Sequence, residues 1–101
     1  MRGLQMTAAT RADRLAAALR AAFSPTRLTV VDDSARHAGH AGARPGGQTH
    51  YSVLLVSPAF QGLSRVDRAR AVHAALGAEF AGGLHALALT LRTPAEDRAA
   101  G

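Results

Sequence analysis

Five histidines and no cysteine set the limits on the chemistry open to this chain of 101 residues. Without thiols it cannot hold a structural disulfide or a thiolate metal site by itself. Any metal it touches is met by imidazole, and sulfur donors must come from another molecule. Two segments concentrate the interest. One is Asp32-Asp33-Ser34-Ala35-Arg36-His37-Ala38-Gly39-His40, in a Gly-rich stretch where His37 and His40 share a short His-x-x-His spacing. The other is Gly83-Leu84-His85-Ala86-Leu87, where an imidazole opens an apolar strand directly after two glycines. His50 opens a further strand beside the Gly-rich stretch, where it could support a ligand through its second ring nitrogen. His73 falls in the apolar stripe of a helix, the position of a core histidine satisfied by a carbonyl. Spacing alone gives His85 a packed role too, and His37 and His40 a solvated one.

Alternating and helical periodicities predict the elements that must position these rings. Leu15, Leu19 and Phe23 recur at helical spacing over residues 8–23, with Ala18 and Ala22 beside them. Thr10 and Asp13 offer a cap, with Thr7 as the alternative, and Ser24-Pro25 ends the helix. Leu28–Asp32 is a short strand by its β-branched content. Residues 33–48 lack periodicity and form a long mobile loop, too long for a tight turn. Residues 49–57 are the clearest strand, with Tyr51, Val53 and Leu55 on one face. A turn through Pro58 and Phe60 leads to a second long helix capped at Ser64 and Asp67 and closed by Gly82-Gly83. Its buried stripe is expected to be Val66, Ala69, His73, Leu76 and Phe80. Residues 84–91 form a third strand placing His85, Leu87, Leu89 and Leu91 on one face. Thr93, Pro94 and Glu96 then start a terminal helix.

The order α-β-β-α-β-α predicts one α+β domain over residues 1–101, a small three-stranded mixed sheet backed by helices. Residues 1–6 fit no pattern and are expected to be disordered. No apolar run spans a bilayer and no secretory signal is read at the start, so a cytoplasmic protein without membrane contact is expected. The net charge is +5, and every basic side chain is arginine. That charge permits contact with nucleic acid or an acidic surface, and codon bias in a GC-rich genome accounts equally for a lysine-free, arginine-rich composition. Arg65, Arg68 and Arg70 on the second long helix are the candidates for partner or nucleic-acid contact. No Ser/His/Asp arrangement, carboxylate pair or phosphate loop argues for an enzyme.

In their order and spacing, several segments together resemble the BolA family. They are Phe23-Ser24-Pro25, Leu28 to Ser34, His37, Gly47-Gln48-Thr49-His50-Tyr51, Val56 to Gly62, Arg68 to Val72, and Leu84-His85-Ala86-Leu87. The resemblance runs from about Leu15 to Glu96 and implies a class II KH-like fold. Ala69 stands where the family commonly has a histidine, so any role of that histidine is absent here. The resemblance implies a partner of monothiol glutaredoxins that co-ligates a [2Fe-2S] cluster. His85 matches the family's C-terminal histidine and His37 its loop ligand, with His40 as the alternative in the loop. Cysteine and glutathione on the glutaredoxin side would supply sulfur, and the isolated chain would carry no cofactor as a monomer or weak homodimer. Mixed Cys/His ligation raises a cluster's potential, and ligation requires neutral imidazole. The alternative is a DNA-binding transcriptional regulator. Few aromatic side chains are available for base stacking, and Gly39-His40-Ala41-Gly42 has the KH clamp spacing only between strands.

Overall fold

The computed structural model describes residues 9–33 and 49–100. Helix α1 (Arg11–Phe23) starts at a reciprocal cap. The Thr10 side chain accepts from the Asp13 N–H, and the Asp13 carboxylate accepts from the Thr10 N–H. This satisfies two of the donors every helix start leaves open. Ser24 closes the helix in the left-handed region (φ 43°), donating its N–H to the Arg20 carbonyl. Pro25 cannot continue it. Leu15 and Leu19, four residues apart, are fully buried.

Strand β1 (Arg27–Asp32) pairs antiparallel with β2 (His50–Val56), and β2 pairs parallel with β3 (Ala86–Arg92), giving the order β1-β2-β3. The sheet is mixed, as expected. Tyr51, Val53 and Leu55 point into the core by strand alternation. They meet Leu15, Leu19, Val72 and Leu76 from the helices, with Leu87, Leu89 and Leu91 packed at the margin. A 3-10 turn (Pro58–Phe60) follows β2. The buried Ser57 hydroxyl accepts from the Ala59 N–H and donates to the Phe23 carbonyl at 2.6 Å, tying the end of α1 to this turn. Phe60, wholly buried, then sits 5.2 Å from the Phe23 ring. The terminal helix α4 (Pro94–Ala100) is capped by Thr93 and Glu96 as expected. Asp97 tethers it by pairing with Arg27 (3.1 Å) and Arg92 (3.0 Å), the residues in register on either side of Val56.

Two expectations for the second long helix change. It is divided into α2 (Arg65–Ala75) and α3 (Gly77–Ala81) at Leu76. Gly77 follows the break, and glycine costs a helix interior about 1 kcal/mol relative to alanine. The buried row is Arg68, Val72 and Leu76, while Val66 is 56% exposed and His73 lies on the surface, stacked on Phe80 at 5.0 Å. The stripe expected from Val66, Ala69 and His73 is off by one residue, about 100° of helix rotation. An arginine occupies the core-facing row, which hydrophobic periodicity alone would not select.

Tyr51 is 2% exposed, and its hydroxyl finds no hydrogen-bond partner among the described residues. Burial, followed by the nearby Asp32 charge, holds this phenol above its ordinary pKa. A buried hydroxyl without a partner opposes folding. Tyr51→Phe is therefore expected to raise unfolding free energy by about 1 kcal/mol in urea titration. A destabilised variant would show that the hydroxyl is satisfied in solution.

Candidate functional site

The start of β2 and the start of β3 lie side by side because the two strands are parallel, with His50 in register with Ala86. The His85 N–H donates to the Thr49 carbonyl at 2.8 Å, and the Ala86 N–H reaches the same oxygen at 3.1 Å. This fixes the backbone of His85 while its side chain stays exposed. His50 is half-buried, and its Nδ1 is hydrogen-bonded to the Thr49 hydroxyl at 2.9 Å. The His50 and His85 rings stand 6.0 Å apart between centroids, at 89° to each other. Sequence reasoning kept these two residues apart. That both open a strand was the signal available, but only the parallel pairing turns it into proximity.

The chain reaches His85 through a clasped turn. Gly83 has φ 119°, which L side chains rarely adopt, and there the path swings from α3 toward β3. The Arg11 guanidinium donates to the carbonyls of Glu79 (3.3 Å) and Gly82 (3.0 Å). Arg14 donates twice to the Glu79 carboxylate, at 2.9 and 3.1 Å. That hydrogen bond, opposed in part by burial, holds the Glu79 carboxyl below its ordinary pKa. The first turn of α1 thus fastens the turn that delivers His85.

His37 and His40 lie outside the described residues, as do residues 1–8 and 34–48. The two ends of segment 34–48 are nonetheless located. Asp33 donates its N–H to the His50 carbonyl at 2.8 Å and accepts from the Ser52 hydroxyl, and Thr49 bonds His85. Asp33 and Thr49, the described residues that flank the segment carrying both loop histidines, therefore both lie at the His50–His85 corner. Among the described residues no group of three or more His, Asp or Glu side chains could hold a metal ion. An exposed imidazole on a rigid strand end suits a site completed by other donors, since imidazole nitrogen ligates iron, zinc and copper alike.

The three candidate arginines separate. Arg65 and Arg70 are exposed, and Arg70 lies 3.8 Å from the Asp67 carboxylate. Arg68, expected among the surface contacts, is instead 8% exposed. It donates to the carbonyls of Leu63 (3.0 Å) and Leu91 (3.3 Å) and forks onto Glu96 at 2.6 and 3.1 Å. Its guanidinium carbon also lies 5.8 Å from the centre of the Phe60 ring. Glu96, remote in sequence, makes this burial tolerable by neutralising the charge.

The Arg68 hydrogen bonds, then the Thr93 N–H, pull the Glu96 carboxyl from 4.5 down to about 2. Its contribution to stability is therefore present above about pH 4.5 and fades as pH falls toward 2. Glu79 and Asp97 are lowered as well and act in the same direction. Glu96→Gln is expected to flatten part of the acid-side loss of melting temperature. An unchanged acid slope would place the pair outside the folding equilibrium.

Fold and corner together define a small α+β domain with an exposed histidine site at a parallel strand pair. Residues 19–96 match the family described as BolA-like protein, and the chain belongs to that family. It is 46% identical over 80 residues to BolA-like protein 1 of Homo sapiens, covering 79% of this chain and 56% of that protein. The chain thus spans about half the length of the curated BolA-like protein 1 relatives it matches. Among solved structures, BolA1 from Arabidopsis thaliana superposes with a TM-score of 0.79 at 38% identity, covering 89% of this chain and 98% of that one. The BolA domain of SufE1 from the same plant gives 0.77 at 40% identity, over 89% and 99%. No described helix is long and apolar enough to cross a membrane.

Proposed function

We propose that this BolA-like chain partners a monothiol glutaredoxin and lends imidazole nitrogen to a shared [2Fe-2S] cluster, in iron-sulfur trafficking or in iron and redox sensing. The observation that carries the reading is the exposed His85 ring at the corner where the segment bearing His37 begins and ends. His85 is the fixed ligand, held by the Thr49 carbonyl and the clasped turn behind it. His37 is the second ligand, with His40 as its alternative. The chain has no thiol, so the sulfur donors are the glutaredoxin cysteine and glutathione. The cluster, when bound, supplies one-electron chemistry. The protein's part is to present imidazole nitrogen at one edge of the sheet.

The alternative, DNA binding through the arginine-bearing helix, loses Arg68 to the ion pair with Glu96 and retains Arg65 and Arg70. Mixing the protein with a monothiol glutaredoxin, iron, sulfide and glutathione tests the first reading. The visible absorption and circular dichroism are expected to differ from those of glutaredoxin alone under the same conditions. Identical spectra, with the two proteins shown to associate, would reject shared ligation.

A further inference from the structure

Strand β3 is an edge strand whose outer side meets no other strand among the described residues. Its alternation fixes which backbone groups face outward. Ala86 donates its N–H to Thr49 and Arg92 accepts from the Ser57 N–H, so Ala86, Ala88, Thr90 and Arg92 turn toward β2. Leu87, Leu89 and Leu91 turn theirs away from it. Among the described residues only one of these groups is occupied, at the end of the strand, where the Leu91 carbonyl accepts from Arg68. Edge strands are usually blunted by charge, proline or a bulge. Ala86 to Leu91 carries no charged residue, proline or glycine.

Along the second half of this edge runs an open cavity of about 600 Å³, between α2 and α4. Arg65 and Ala69 wall it on one side, Glu96 and Ala100 on the other, with Leu89 and Leu91 in its floor. The charges are unequal. Arg68 and Arg92 are satisfied by Glu96 and Asp97, whereas Arg65 is exposed and has no ion-pair partner among the described residues. We propose that this trough binds an extended acidic segment of a partner protein, which adds to β3 as a fourth strand and sets a carboxylate against Arg65. The outward amides supply the main-chain bonds and Arg65 the selectivity for acidic side chains. A strand advances about 3.3 Å per residue, so the stretch from Leu89 to Arg92 would seat about four residues of the incoming segment. The trough lies at the opposite end of β3 from His85, and the proposal does not depend on the cluster reading.

The test uses the full chain labelled with ¹⁵N and a capped peptide of alternating glutamate and valine, about eight residues long. A matching peptide N-methylated at its bonding amides and an oligothymidylate of similar length complete the set. The alternating peptide is expected to slow hydrogen exchange at the Leu89 and Leu91 amides, leaving Ala88 and Thr90, already bonded to β2, unchanged. N-methylation is expected to abolish binding, and Arg65→Glu to weaken it about tenfold. That variant keeps its fold, because the side chain is exposed and an acidic residue suits the first turn of a helix. Protection absent from Leu89 and Leu91, or binding indifferent to N-methylation, would overturn strand addition. Oligothymidylate binding the trough with the same Arg65 dependence, where the peptide fails, would reassign it to nucleic acid.

Discussion

His85→Ala is expected to erase the difference between the visible circular dichroism of the cluster-loaded mixture and that of glutaredoxin alone. The substitution separates ligation from folding. The side chain is exposed, and the hydrogen bond that anchors this residue is made by its backbone N–H to Thr49, which alanine keeps. Unfolding free energy should therefore hold within the range of ordinary surface changes, about 0.5 kcal/mol. Association of the two proteins without the cluster should also persist. His37→Ala should weaken the spectral difference, and His40→Ala should leave it intact if His37 is the loop ligand. A His85→Ala protein with the wild-type spectrum would remove this residue from the ligand set.

Phe60→Ala is expected to cost about 3–5 kcal/mol of unfolding free energy. The ring is wholly buried at the junction of three elements: it packs on Phe23 at the end of α1, belongs to the core cluster, and lies under the Arg68 guanidinium. The 3-10 turn that holds it is fixed by the Ser57 hydroxyl, so the surroundings cannot readily collapse into the void. Domains of this size have about 5–15 kcal/mol in total, so the variant should lose a large fraction of its stability and unfold at a much lower urea concentration. A urea midpoint close to wild type would contradict the assigned core.

The elements with local signals were legible in the sequence. Thr10 and Asp13 announce their cap within one turn, and Tyr51, Val53 and Leu55 announce a half-buried strand by alternation alone. The features that depend on distant partners were not. Arg68 can face the core only because Glu96 returns to meet it, and nothing near Arg68 shows this, so the buried face of α2 was read one residue out. The break at Leu76 was hidden by apolar spacing that continues through Phe80. Alternation puts His85 inside a strand over residues 84–91, on the same face as Leu87, Leu89 and Leu91, whereas the strand begins at Ala86 and His85 is exposed. At the candidate site the sequence marked the histidines one by one. The meeting of His50 with His85 follows from parallel register between strands separated by two helices, which no local pattern encodes.

The proposed role turns on imidazole nitrogen from this chain bonded to iron. Pulsed electron paramagnetic resonance on the reduced complex, with this protein alone carrying ¹⁵N-histidine, measures that bond through the nitrogen hyperfine coupling. The coupling is expected with the wild-type chain and is expected to lose the His85 contribution in His85→Ala. A reduced cluster in the complex that shows no strong coupling to ¹⁵N from this chain would contradict the account.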